Sequence, residues 1–472
     1  MRLYDTDITR IAIIDGQRQY TYDEFCKNVT ALSAYFASKR IRRIAFLMDK
    51  GYVAYLALWA AYMSGATVCS LDVSLPPKRV DECLTLFCPD MVITDFSMES
   101  FRCVSPQELL SICQSAAELH SVARPDAGSP CDSNSVLYVL FTSGSTGKPK
   151  GVAILRKAFE EVIAWAVDHL GMKPDDKIGN YCSLGFDMGL CDVFLALTVG
   201  AQLVAIPEKA KLYPGRMVRR HNITWLYAVP TILDFFEAQK DFEKGNLASL
   251  RQVGFGGASL YERHMRFICR HRPDLTVFNT YGPTETTLFT SCVVYQATEY
   301  VNITEESVCL GQPVTGVRYA LIDHDAHAKE MVVVGEHCLA GYLQQDHAID
   351  FAAACSMGSY ETGDLVYMKN GEYYFIARKD NQVKVRGNRV DLDGIASFLR
   401  TADVSAVALV VDEKLILFHS GDASASDVRR KLEDYLPRNS LPDAYVHVGE
   451  IPLNINGKYD KAILLDMYKN SV

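Results

Sequence analysis

The sequence is notable first for what it lacks. It has no basic surplus: 48 Lys and Arg stand against 57 Asp and Glu, a net charge of −9. That leaves no electrostatic footprint for nucleic acid or an anionic membrane. Its 14 cysteines form no CxxC pair and no Cys/His ligand spacing, which excludes a zinc site and a disulfide framework and points to free thiols in a reducing, cytoplasmic setting. The opening MRLYDTDITR carries charges and no apolar core, so no signal peptide is read there. No internal repeat and no low-complexity segment occurs. One uncharged stretch, 51–71, is 21 residues long, enough to raise a membrane span. Gly65 breaks it, and Tyr55, Tyr62, Ser64 and Thr67 dilute it. It reads better as a buried helix from Val53 to Met63, a turn at Ser64-Gly65 and a strand from Thr67 to Leu71.

What is present fits a globular chain: 49% apolar and 22% charged residues over 472 positions. That length predicts about two to four domains, or one large and one small. Asp15-Gly16 signals a hairpin, and Thr21 with Glu24 a capping box opening a helix through Tyr35. Apolar strands at Ile44–Met48 and Met91–Thr94, with a helix near Val80–Phe87 between them, give a β-α-β rhythm. The expected class is therefore α/β, sheets covered by helices. Residues 115–135 read as a polar linker. Further on, 157–170 has helical spacing, and 194–206 holds a helix, a stop at Gly200 and a strand. Strands are expected at Trp225–Val229, Thr276–Thr280, Tyr319–Ile322, Met331–Val334, Glu372–Ile376 and Gln382–Val385. The tail adds two strands and a helix from Ala425 to Tyr435.

Chemistry gathers at Tyr138–Gly151, YVLFTSGSTGKPKG. An apolar strand breaks into Thr142, Ser143, Gly144, Ser145, Thr146 and Gly147, then Lys148, Pro149 and Lys150. Glycines allow close backbone approach, amides converge on an anion, and lysines add positive charge. The segment reads as a phosphate-wrapping loop, and as an ordinary surface turn if taken alone. It is not a Walker A loop, because the glycine spacing is wrong and Pro149 stands where a hydroxyl belongs.

Six stretches in order resemble the adenylate-forming superfamily: LFTSGSTGKPKG (140–151), GFDMGLCDVF (185–194), NTYGPTETT (279–287), YETGD (360–364), RKDNQVKVRGNRVDL (378–392) and PLNINGK (452–458). SLDVSLPPKR (70–79) matches an early motif of the same family. The wording is most similar to D-alanine–carrier-protein ligases and stand-alone nonribosomal adenylation domains. The resemblance implies a large N-terminal domain (1–378) of packed sheets and helices and a small mobile α+β C-terminal domain (379–472), with ATP and Mg²⁺ required. It implies joining of a carboxylate to the α-phosphate of ATP, with pyrophosphate released, and passage of the acyl group to a thiol.

The resemblance also implies roles. Lys458 would be the adenylation lysine, a preorganised cation where charge builds on phosphorus; a solvated surface lysine is the bland alternative. The loop residues Thr142 to Thr146 with Lys150, together with Gly256, Gly257, Asn279, Thr280, Tyr281, Gly282, Asp364, Phe375 and Arg378, would hold the nucleotide. Asp364 would accept the ribose hydroxyls, Tyr281 would stack on adenine, and Glu285 would bind Mg²⁺. Asp187 would pair with the α-ammonium of an amino acid; an unpaired aspartate in an apolar pocket is costly, and the alternative is a cap on the following helix. Met188, Cys191, Phe255, Phe278, Thr280 and Leu310 would line an uncharged side-chain pocket suited to a small or medium neutral amino acid. Asp380 would be the hinge, and the segment from Lys384 to Arg389 would change faces to present a thiolation set near Gly387.

Departures from the family pattern are Leu453-Asn454-Ile455 before the lysine, Ala258 for a frequent Glu, Ala377 and Lys329 for glycines, and Gly256 where D-alanine ligases place a cysteine, which leaves chirality open. No carrier segment is seen after Lys458, so the expected thiol is phosphopantetheine on a separate carrier protein. An acyl- or aryl-acid–CoA ligase of the same superfamily is the alternative, and a nucleotide-binding sensor a third reading.

Overall fold

The structure is a computed structural model. It describes residues 1, 3, 7–119, 133–143, 149–297, 307–325, 327–344, 349–351, 354–380, 382–385, 388–411, 414–452 and 459–471. The chain divides into two compact units. One comprises 1–73, 86–140 and 151–377; the other comprises 74–85, 141–150 and 378–472.

The larger unit is built on three sheets. The nine-stranded sheet has a parallel centre: Ile11–Asp15, Gln202–Ala205, Lys177–Asn180, Trp225–Ala228, Gln252–Phe255 and Thr276–Tyr281 run side by side. Antiparallel strands close its edges, with Arg18–Thr21 at one end and Ser291–Gln296 then Gln312–Pro313 at the other. At its middle, Trp225–Ala228 and Gln252–Phe255 are short and buried along their length, as a sheet covered on both faces requires. A seven-stranded sheet includes Val136–Ser143, Thr67–Ser70, Arg43–Leu47 and Met91–Thr94. A third sheet is antiparallel, ordered Val317–Asp323, Lys329–Gly335, Ser359–Lys369, Glu372–Arg378.

Local signals explain many element ends. Thr21 Oγ1 accepts the Glu24 amide at 3.2 Å and starts the helix Tyr22–Ser38. The uncharged stretch 51–71 is a 13-residue helix, Tyr52–Ser64, ended by Gly65 in the left-handed conformation (φ 78°) and followed by the strand Thr67–Ser70. That helix packs Tyr55 and Trp59 into the main core, and among the described residues no helix is long and apolar enough to cross a membrane. Among the described residues no cysteine is joined in a disulfide. The expected linker at 115–135 is corrected at its start. The helix Pro106–Leu119 occupies 115–119, anchored through Leu109 and Cys113; 120–132 lie outside the described residues.

The smaller unit has its own interior. Its sheet joins Ser405–Val411 and Lys414–Ser420 antiparallel, with Ala444–His447 parallel to the latter. The alternation is strict. Ala406, Ala408, Leu415 and Leu417 pack with Ile395, Leu399, Val428 and Leu432 of the helices Leu392–Arg400 and Ala425–Glu433. Val407, Leu409, Ile416 and Phe418 point the other way and pack with Leu464 of the helix Lys461–Ser471.

Candidate active site

The strand Lys177–Asn180 ends in a six-residue connection that delivers the helix Asp187–Val199. This helix starts seven residues earlier than its spacing suggests, and it is buried nearly all round. Phe186 is the extended N-cap residue and makes no side-chain cap bond; Asp187 stands in the first turn, where a negative charge complements the helix dipole. Asp187 is 8% exposed, and its Oδ1 accepts the Met188 amide at 2.9 Å. Gly189 sits so close to the preceding connection that a Cβ there would run into the Ser183 carbonyl. Gly200, at φ 90°, terminates the helix.

The strand Thr276–Tyr281 sorts its residues onto two faces. Phe278 and Thr280 share one. Thr280 Oγ1 lies 2.6 Å from the Tyr227 hydroxyl and donates to the Phe255 carbonyl at 3.1 Å. The Phe278 ring crosses Gly254, which has no side chain to obstruct it, and meets Trp225 and Tyr227 with centroids 5.3 and 5.5 Å away. This is the face toward the Asp187 helix. Tyr227 is fully buried; burial raises its phenol pKa well above the ordinary value, with Cys191 and Asp187 adding to the effect. Burial also keeps the Cys191 thiol protonated and pushes the Cys182 thiol up to about 12. Gly257, in the left-handed region at φ 73°, brings the loop against Met188, whose Sδ would lie 3.2 Å from a Cβ there. A Cβ at Gly256 would stand 2.6 Å from both Thr280 Oγ1 and the Tyr227 oxygen.

Not every expected pocket residue joins this group. Phe255 is in register with Asn279 and Gly254 with Phe278, so Phe255 points to the opposite face of the sheet. Leu310 packs with Tyr281, Met331 and Val366, apart from Met188 and Cys191. Tyr227 and Gly254 escaped the sequence reading; their only signal was a tyrosine and a glycine at matching places in adjacent short strands.

Asn279 and Tyr281 occupy the second face. Asn279 Nδ2 donates to the Cys309 carbonyl at 2.9 Å. The Tyr281 hydroxyl donates to Asp364 Oδ2 at 2.6 Å, and burial, reinforced by Asp364, raises the phenol far above its usual pKa. The Asp364 amide donates to Thr362 Oγ1 at 3.0 Å, and that hydroxyl donates to the Met331 carbonyl at 2.6 Å. Phe375 packs beside this cluster. Gly282 passes so near Phe289 that a Cβ would come within 2.5 Å of its Cα. Thr287 and Leu288 follow at φ 61° and 73°, a left-handed pair of non-glycine residues that stores backbone strain beside the motif. Glu285 lies in the 3₁₀ turn Thr284–Thr286 and is buried; the Tyr342 hydroxyl approaches its Oε1 at 3.4 Å. Among the described residues no three His, Cys, Asp or Glu converge as a metal cage. A single buried carboxylate does fit Mg²⁺, which takes one or two carboxylates plus phosphate and water oxygens.

Thr142 and Ser143 end the strand Val136–Ser143, and Lys150 is half-buried in Pro149–Leu155. Gly144, Ser145 and Thr146 lie outside the described residues, as do Gly387 and Lys458. In the smaller unit, Arg378 forks onto Asp380, with Nε to Oδ1 at 2.7 Å and Nη2 to Oδ2 at 2.9 Å, the strong bidentate geometry of an arginine–carboxylate pair.

Residues 5–344 match the family described as AMP-binding enzyme. The L-proline–[L-prolyl-carrier protein] ligase of Streptomyces coelicolor is 30% identical, over 94% of this chain and 91% of that protein. Vanchrobactin synthetase VabF of Vibrio anguillarum is 27% identical over 96% of this chain, which spans only 17% of that much longer protein. Among solved structures, the Vibrio cholerae adenylation domain AlmE in complex with glycyl-adenosine-5′-phosphate superposes with a TM-score of 0.82 at 23% identity, covering 98% of this chain and 95% of that one.

Proposed function

The chain belongs to the AMP-binding enzymes of the adenylate-forming superfamily, and from that premise we propose that it is a ligase that activates a small or medium neutral amino acid for a carrier protein. An oxygen of the amino acid's carboxylate attacks the α-phosphorus of ATP. The bond to pyrophosphate breaks, and an aminoacyl-adenylate remains. The thiol of a phosphopantetheine arm on a separate carrier then attacks the acyl carbon, loses its proton, and AMP departs.

The observation that carries this reading is the buried Asp187 carboxylate at the head of its helix, beside the uncharged group of Tyr227, Thr280, Phe278, Cys191 and Met188. A carboxylate beside an uncharged pocket offers the α-ammonium of an amino acid its counter-charge. The walls bring no second charge, which favours a neutral side chain. L-Proline, the amino acid named for the Streptomyces coelicolor relative, meets that description.

The two faces of Thr276–Tyr281 suit two substrates. Thr280 serves the amino acid, while Asn279, Tyr281 and Asp364 serve the nucleotide. The Tyr281 phenol orients the Asp364 carboxylate, whose role is to accept the ribose hydroxyls. Gly256, Gly257 and Gly282 let backbone approach the adenosine, and Phe375 borders it. The loop Thr142 to Thr146 with Lys150 wraps the phosphates. Mg²⁺, held by Glu285, would neutralise phosphate charge. Lys458 would stabilise the pentacoordinate phosphorus. The chain would divide functionally at 378, with Arg378 reaching the ribose and Asp380 acting as hinge, and the segment from Lys384 to Arg389 serving thiolation.

Amino-acid-dependent ATP–pyrophosphate exchange tests the reading. A panel of L and D amino acids, with proline and glycine included, is run beside their des-amino acids. Exchange with one or a few neutral amino acids is expected. Exchange with des-amino acids and none with amino acids would replace this reading by the CoA-ligase one.

A further inference from the structure

The second turn of the Asp187 helix carries another aspartate with no part in the reaction above. Asp192 is wholly buried. Its Oδ2 accepts from Asn180 Nδ2 at 3.1 Å, and its Oδ1 has no partner among the described residues. The same Asn180 amide donates to the Gly189 carbonyl at 3.0 Å, and Asn180 Oδ1 accepts the Tyr55 hydroxyl at 3.0 Å. Tyr55 and Asn180 are also fully buried.

The connectivity gives this network its purpose. Asn180 is the last residue of its strand, and six residues later the helix begins. Its side chain reaches across that connection and grips the helix twice, at Gly189 in the first turn and at Asp192 in the second. Tyr55, from a different helix, fixes the orientation of the amide by holding its oxygen. Gly189 completes the seat by letting the first turn lie directly on the Ser183 backbone. Rotation or sliding of the first turn, which carries Asp187, would break bonds of buried groups that have no water to replace them.

Resting on the reading of Asp187 as the amine-binding carboxylate, we propose that the Tyr55–Asn180–Asp192 network positions that carboxylate, so that Asp192 governs amino-acid affinity without touching the substrate. Burial supports an uncharged Asp192: it drives the carboxyl well above the usual range against the opposing effects of Asn180 and Lys50. A neutral acid next to an amide is a geometric clamp that adds no second negative charge beside the amine site. The asparagine of the same shape should therefore replace it.

Exchange kinetics test this on the full chain, with the wild type first taken through the amino-acid panel. Absence of amino-acid-dependent exchange there would sink the parent reading and not the clamp. With the best amino acid in hand, Asp192→Leu should raise its KM by about tenfold or more while the ATP KM stays within about twofold, because the misplacement falls on one substrate. Asp192→Asn should stay within about threefold of wild type on both. Tyr55→Phe, which removes one hydroxyl from an otherwise unchanged ring, should raise the amino-acid KM by about threefold. An unaltered amino-acid KM in Asp192→Leu, a parallel rise in both KM values, or an asparagine variant as weak as the leucine one overturns the proposal. If the leucine variant does not fold, Tyr55→Phe decides, and an unchanged amino-acid KM there overturns it.

Discussion

Adding one methyl group at Gly256 probes the amino-acid side of the site most directly. The new Cβ would lie 2.6 Å from Thr280 Oγ1 and 2.6 Å from the Tyr227 oxygen, well inside contact distance for each. These two oxygens are 2.6 Å apart and hydrogen-bonded to one another. Both residues are buried, and neighbouring Phe278 and Trp225 close off retreat of the tyrosine ring. Accommodating the methyl therefore separates the pair. Overpacking costs about 1–3 kcal/mol, and a buried hydroxyl left without its partner about 1–3 kcal/mol more. Relaxation along the loop, whose next residue is already a left-handed glycine, absorbs part of this. About 2 kcal/mol should remain at the substrate wall, close to a thirtyfold rise in the amino-acid KM. The ATP KM should rise less than the amino-acid KM: Asn279, Tyr281 and Asp364 lie on the other face of the strand, and only the Gly256 backbone borders the adenosine. Exchange kinetics with each substrate varied in turn, beside a thermal melt, give both numbers. Tyr227→Phe combined with Gly256→Ala should recover part of the loss by removing one of the clashing oxygens. A Gly256→Ala enzyme with unchanged amino-acid KM and unchanged Tm would refute the packing argument outright.

Other outcomes follow from the same structure and sequence. Lys458→Ala should lose about two to three decades of exchange rate while melting like the wild type; undiminished exchange removes the assignment. Asp187→Asn should raise the amino-acid KM by about two decades, the cost of leaving a buried ammonium without its counter-charge, and should narrow the preference over des-amino acids; equal KM values in the two enzymes would contradict the amine contact. His264 donates no charge to the fold: burial, with Arg263 close by, holds it down at about 4, and its Nδ1 accepts the Tyr261 amide at 3.2 Å. The unfolded chain binds that proton at about 6.5, so stability should be full above that pH and decline as pH falls toward 4, by about 3 kcal/mol at most. Urea titrations of wild type and His264→Asn across that range should converge at low pH, and parallel curves would exclude His264 as the source.

Sequence and structure agree best where the determinant is local. Thr21 as a cap, the Asp15-Gly16 hairpin and the stops at Gly65 and Gly200 each depend on a residue's own backbone preference or a contact within four positions. The Asp187 helix shows the other regime. Its first two turns hold two aspartates and a glycine, poor helix formers in isolation, and burial against the sheet overrides them. The helix Pro106–Leu119 has no counterpart in the sequence reading, which sets 115–135 down as linker; its anchoring residues, Leu109 and Cys113 with Leu110 and Ile112 beside them, all fall before 115. Which way Phe255 points was illegible for a stricter reason. In a parallel sheet facing is fixed by register with strands twenty or more residues away, and no motif encodes it. The motifs located Asp187, Tyr281 and Asp364. They carried no trace of Tyr227, Gly254 or the Asn180 clamp, whose partners meet only after folding.

The makeup of the smaller unit has an experimental consequence. It recruits 74–85 and 141–150 along with everything from 378 onward, and Arg79 rests on the Tyr435 ring, 5.8 Å from its centroid. A protease nick after Ala377 would therefore not liberate a finished module. The released tail would be missing two of its own pieces, which stay behind on the other fragment, and such halves belong together in the test tube as they do in the gene.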